Sequence, residues 1–166
     1  MPASNSDNPG VATKRPYVQV ACFCEKVLRE HDNVPSLIRV IDTYHIDQPP
    51  QPLPPGVAFA LASTVFVALK SGEVKGEHAI GLRLTKPNGT TGPLHEWRTM
   101  FGGDESGVNL QVAFEIPAPE IGLYWFDVLW VDGEVLTRIP LRVKLKTTSD
   151  LGKSSEPEPT QSRVAF

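Results

Sequence analysis

Hydrophobic and polar residues alternate along most of this chain with the period of two that a half-buried β-strand requires. From Tyr17 to Arg29, Val18, Val20, Cys22 and Cys24 fall on one face and Gln19, Ala21, Phe23 and Glu25 on the other. Ser36 to Ile46 sets Leu37, Arg39, Ile41 and Thr43 against Ile38, Val40, Asp42 and Tyr44, and a helix is the alternative for either of these two segments, particularly over Glu25 to Glu30. Val57 to Lys70 is apolar on both faces and predicts a central strand covered on both sides. Glu77 to Thr85 alternates Ile80, Leu82 and Leu84 with Ala79, Gly81 and Arg83, and a short strand is expected around Leu94 to Phe101. Val108, Leu110, Val112, Phe114 and Ile116 then alternate cleanly with Asn109, Gln111, Ala113 and Glu115. Turn signals separate these runs at His31-Asp32-Asn33, Lys86-Pro87-Asn88-Gly89, Gly102 to Gly107 and Pro117 to Pro119.

The most explicit pattern is Gly122 to Leu145, where Asp132-Gly133 between two alternating runs suits a hairpin with a two-residue type I′ turn. In the register that turn sets, Val131 faces Glu134, Leu129 faces Leu136, Asp127 faces Arg138 and Trp125 faces Pro140. Trp130, Val128, Phe126 and Tyr124 face Val135, Thr137, Ile139 and Leu141 and belong to the core. The first set forms an outer face more apolar than contact with water requires. Pro140 falls opposite Trp125 at a hydrogen-bonded position, where it has no N–H to give, so a bulge or a ladder break is expected near Arg138 to Pro140.

Sixteen prolines and thirteen glycines in 166 residues favour many turns over long helices. The fold class predicted is all-β, an antiparallel β-sandwich of about eight strands with Greek-key or jelly-roll connections. It occupies residues 16–146, between disordered tails at 1–15 and 147–166 that are too polar to bury apolar area. Gln48 to Pro55, QPPQPLPP, reads as a polyproline II connector crossing between sheets. A net charge of −3 and a pI near 5.8 leave no basic footprint for nucleic acid or an anionic membrane. The first ten residues carry neither a basic start nor an apolar run, and a cytoplasmic location is expected.

The candidate chemistry is sparse. Cys22-Phe23-Cys24 offers two thiols from one strand, with His31 or His45 nearby in sequence, but a second ligand pair at zinc spacing is missing. His78 beside Glu77 and His95 beside Glu96 point to opposite faces of their strands, and no nucleophile motif accompanies them. The acidic loop with Asp104 and Glu105 has too few ordered oxygens for calcium and no Lys-Ser/Thr close for phosphate. No catalytic residue, metal or cofactor is therefore assigned. What remains is apolar surface: Trp125, Asp127, Leu129, Leu136, Arg138 and Pro140 on the outer hairpin face, joined by Trp97 beside Arg98. These residues predict a non-catalytic binding or assembly module, with a protein partner or self-association through that face. The alternatives are an enzyme or metalloprotein, and a carbohydrate-binding sandwich that stacks sugars on Trp97 and Trp125, which requires both rings on one surface.

Ala21 to Ile46, ACFCEKVLREHDNVPSLIRVIDTYHI, and Gly122 to Val143 carry a strand, an Asn33-Val34-Pro35-Ser36-Leu37 turn into a second strand ending near Asp42, and a late Gly-x-Tyr strand followed by Asp-Gly. In these features the chain resembles a bacterial and phage-associated group of uncharacterised proteins classed only as a domain of unknown function. The resemblance extends from Tyr17 to Leu145. It implies a β-sandwich and brings no activity or catalytic residue with it.

Overall fold

The computed structural model describes residues 15–47, 60–130 and 132–146. The expected proline connector lies outside them, as do the expected tails apart from Arg15. Among the described residues nine strands are formed: β1 (Tyr17–Arg29), β2 (Pro35–Ile41), β3 (Thr43–Ile46), β4 (Ala60–Lys70), β5 (Lys75–Thr85), β6 (Thr91–Gly102), β7 (Gly107–Pro117), β8 (Gly122–Leu129) and β9 (Val135–Leu145). They make a four-stranded sheet in the order β2-β1-β4-β7 and a five-stranded sheet in the order β3-β9-β8-β5-β6. All neighbours are antiparallel except β3 and β9. The all-β sandwich predicted from the alternation is present, and Glu25 to Arg29 continues β1 rather than turning helical.

Each sheet contributes one set of alternate residues to the space between them. Phe23 on β1, Val65, Val67 and Leu69 on β4, and Val108 and Ile116 on β7 are buried against Ile80 and Leu82 on β5, Tyr124, Phe126 and Val128 on β8, and Ile139, Leu141 and Val143 on β9. Val57 to Lys70 was expected to be apolar on both sides, and β4 is central in its sheet, with Phe66 buried on the face opposite Val65 and Val67.

Two features depart from the alternation. The expected single strand from Ser36 to Ile46 is broken at Asp42, so that β2 stays beside β1 and β3 crosses to the other sheet to run parallel to β9. Asp42 marks the crossing, its carbonyl accepting the Arg142 N–H at 3.2 Å. Tyr44 on β3 then reaches back between the sheets to hydrogen bond Ser63 on β4.

The hairpin turn also differs. Gly133 donates its N–H to the Trp130 carbonyl at 2.8 Å, and Trp130 donates to Glu134 at 2.8 Å. This is a three-residue connection, with Gly133 in the left-handed region at φ 82°, the geometry of a turn closed by a glycine bulge. Leu129 consequently faces Val135, not Leu136, and the expected type I′ turn is replaced. From Val128↔Thr137 onward the expected register holds, including Asp127↔Arg138 and Trp125↔Pro140. The one-residue difference is absorbed by a bulge at Leu136, between Val128 and Leu129 on the facing strand, and not near Arg138 to Pro140.

That bulge explains how Pro140 is tolerated. Arg142 and Lys146 both donate their N–H groups to β3 or its flanks, to Asp42 and Ile46. Since donors alternate in direction along a strand, the nitrogen of Pro140 points to the same side, away from β8. β3 begins opposite Arg142, so among the described residues no strand pairs on the side Pro140 presents, and no donor is needed there. Gly133 has open space where a Cβ would stand, so Gly133→Ala tests the backbone alone. Urea unfolding is expected to show a loss of about 1 kcal/mol from the left-handed strain.

Candidate functional site

The outer face of the five-stranded sheet is organised by one carboxylate. Arg83 on β5, Asp127 on β8 and Arg138 on β9 stand side by side across three adjacent strands. Arg138 donates from Nε to Asp127 Oδ1 at 2.6 Å and from Nη2 to Oδ2 at 3.4 Å, while Arg83 Nη2 donates to Oδ2 at 3.2 Å. The two guanidinium groups cover Asp127 so completely that the residue is 1% exposed on what is otherwise a solvent face. The Asp127 carboxylate raises the pKa of Arg138 still further, by hydrogen bonding first and by charge second. Arg138 also lies over the Trp125 ring, its Cζ 5.7 Å from the centroid. Two cations on one anion leave a local charge of about +1 in an acidic protein.

The other outer-face residues divide. Leu129 is 2% exposed, although it sits on the same face as Asp127. Gly81 lies opposite both Leu129 and Glu96 and has no side chain, and Leu94 fills that gap: a Cβ on Gly81 would meet Leu94 Cδ1 at 2.8 Å and Leu129 Cβ at 3.5 Å. Leu136, turned by its bulge, packs against the core instead of joining the outer face. Pro140 is exposed beside half-buried Trp125. Trp97 does not join them. From β6 it faces Ile80 on β5 and packs on the inner side of the sheet, so it does not group with Trp125 and the two-ring sugar platform is not assembled.

Trp97 instead lines an apolar cleft of about 330 Å³ between the edge strands β6 and β7, with Leu82, Leu84, Phe114 and Phe126 as its walls and His95 and Glu115 at its border. His95 is 6.4 Å from Trp97, whereas His78 packs 5.0 Å from Trp130. The two histidines pair with positions four residues apart on β5 and its neighbour, roughly 13 Å along the strand. Asp104 sits in the β6–β7 turn, 3.6 Å from Lys75, and Glu105 accepts a hydrogen bond from Tyr17 at 2.5 Å. These groups therefore serve the turn separately. Among the described residues no three His, Cys, Asp or Glu side chains gather as a metal site.

The sequence pattern alone does not single out Arg83. Its signal was its place in Ala79, Gly81 and Arg83, the weakly polar face of an otherwise apolar strand. Asp127→Asn leaves the two guanidinium groups adjacent without their counter-charge. Discounted for the solvent that reaches both arginines, the expected loss is about 2 kcal/mol in urea unfolding, with Asp127→Glu recovering part of it.

Both cysteines are free, Cys22 half-buried and Cys24 buried. Burial pushes both thiols up, and for Cys22 the neighbouring Cys24 and Asp42 add to it. A raised pKa lowers the thiolate fraction at neutral pH, so in the native state Cys22 alone is expected to react with iodoacetamide. It should do so more slowly than a free thiol, the rate still rising above the pH where an ordinary thiol has levelled off. Rapid modification of both at pH 7 contradicts this placement.

No family model matches the chain, and no curated protein does. Among solved structures, an immunoglobulin-like protein from Pseudomonas aeruginosa is similar at 12% identity and a TM-score of 0.42, over 80% of this chain and 99% of that one. A β-glucosidase from Listeria innocua is similar at 14% identity and a TM-score of 0.36, over 62% of this chain. A mutant of that enzyme in complex with laminaribiose gives 16% identity and a TM-score of 0.33 over 50% of this chain. The match spans 14% of the β-glucosidase in each case, and neither activity nor ligand passes from these distant likenesses to this chain. The molecule is an all-β, two-sheet sandwich, and among the described residues no helix is long and apolar enough to cross a membrane.

Proposed function

We propose that this protein is a non-catalytic binding and assembly module that seats a protein partner on the outer face of its five-stranded sheet. The observation that carries this reading is the buried Asp127 carboxylate, which holds Arg83 and Arg138 in place and thereby keeps Arg138 over Trp125. Tryptophan and arginine dominate the energetics of protein interfaces, and side chains already fixed before binding lose little freedom when a partner arrives. Pro140 and Leu94 add exposed apolar area on either side. The excess guanidinium favours a partner that presents a carboxylate at the centre of its contact surface. The overall charge of −3 argues against nucleic acid, and the two free thiols support a reducing, cytoplasmic setting.

Tagged full-length protein is expected to retain a defined partner from extracts of its own cells. Trp125→Ala should weaken that capture about tenfold or more while leaving the circular dichroism spectrum intact. Equal retention by wild type and by both Trp125→Ala and Arg138→Ala would exclude the outer face as the binding surface.

A further inference from the structure

Among the described residues, the other end of the sandwich carries an unpaired strand edge. β7 is the last strand of the four-stranded sheet, and no described strand pairs along its far side. Ser71 donates its N–H to the Ser106 carbonyl at 2.9 Å, one step before the pair Lys70↔Gly107. Hydrogen-bonded pairs alternate from that point, so the even-numbered residues of β7 bond to β4. The N–H and C=O groups of Asn109, Gln111, Ala113 and Glu115 are therefore directed to the open side, and all four residues are exposed.

Edges in soluble proteins are normally blunted by short length, distortion, proline or basic side chains. The other edges here follow that rule. β3 has four residues, β2 carries Arg39 at φ 50°, and β6 contains Pro93 and Arg98 and is paired through a register shift. β7 has none of these devices: it runs eleven residues in unbroken register with β4, with no proline before Pro117 and with Glu115 as its one charge. Its inward side chains Leu110, Val112 and Phe114 are only half-buried, and Val112, Phe114 and Ile116 border the open cleft beside Trp97.

We propose that β7 pairs antiparallel with β7 of a second copy across a twofold axis at Val112. Val112 is the midpoint of Gly107–Pro117, so this register pairs the full length of the strand. The strand is complementary to itself in that register. Leu110 meets Phe114 and Val108 meets Ile116 on the inner side, while Gln111 meets Ala113 and Asn109 meets Glu115 on the outer side. No charge faces its like, and the free donors and acceptors of the odd-numbered residues face one another. Two four-stranded sheets become one continuous sheet, the inner apolar residues of each copy cover those of the other, and the mouth of the cleft closes. A twofold contact of this kind is closed and gives a dimer, not a fibre.

Sedimentation velocity of the full chain at about 100 µM is expected to show a dimer. Ala113→Pro removes a donor on the open side while keeping the bonds to β4, and it should sediment as a monomer with an unchanged circular dichroism spectrum. Gln111→Lys, which leaves the β4 ladder untouched, is the second variant and should also give a monomer; it decides the matter if Ala113→Pro does not fold. The amides of Asn109, Gln111, Ala113 and Glu115 should exchange slowly with deuterium in the dimer and fast in the monomeric variants. Trp125→Ala should remain dimeric, which separates this contact from the outer hairpin face. A monomeric wild type overturns the proposal and leaves the edge to an extended peptide from another protein. A dimer that survives Gln111→Lys overturns it as well.

Discussion

Phe23, Phe114 and Phe126 meet between the two sheets, and the rest of the molecule is arranged around that contact. Phe23 on β1 approaches Phe126 on β8 edge-on at 5.0 Å and Phe114 on β7 at 5.8 Å, while Phe114 and Phe126 are 4.9 Å apart. One ring comes from the five-stranded sheet and two from the four-stranded sheet, so the cluster joins the layers directly. Side chains alternate along a strand, and fixing one residue inward fixes its neighbours outward. With Phe126 inside, Trp125 and Asp127 have no other place than the outer face. With Phe114 inside, Ala113 and Glu115 must stand outside.

The hairpin shows how a local constraint preserves that arrangement. A three-residue connection would by itself slide β9 by one position and exchange its inner and outer residues. The bulge at Leu136 restores the phase, so that Ile139, Leu141 and Val143 remain inside and Arg138 stays opposite Asp127. The same bulge aligns Pro140 with the open edge of β9, where its missing donor costs little. Gly133, Leu136 and Pro140 thus act as one device, and the clamp of Arg83 and Arg138 on Asp127 depends on it. The clamp in turn determines the chemistry of the outer face, since a bare carboxylate there would make it acidic and two shared guanidinium groups make it cationic.

Much of this is legible in the amino-acid sequence. Strict alternation identified β1, β7, β8 and β9, and the mirrored pattern around Asp132-Gly133 placed Asp127 opposite Arg138. The limits have physical causes. Asp-Gly suits both a type I′ turn and a three-residue turn closed by a glycine, and composition does not separate them. Asp42 fits the alternation of its segment, so the crossing of β3 to the other sheet leaves no mark in the pattern. The burial of Leu129 depends on Leu94 reaching across Gly81 from another strand, a contact between strands distant in sequence. Trp97 looked like a partner for Trp125 because the facing of β6 is settled only by its pairing with β5.

The facing of β8 fixes the outer surface, and comparing two adjacent aromatic residues tests it most directly. Equilibrium urea unfolding of Phe126→Ala should show a loss of about 3–5 kcal/mol, the cost of emptying the inter-sheet cluster. Trp125→Ala, one position away, should lose roughly 1 kcal/mol. Equal losses, or a larger one for Trp125, would mean that β8 is turned the other way, and the outer face described here would not exist.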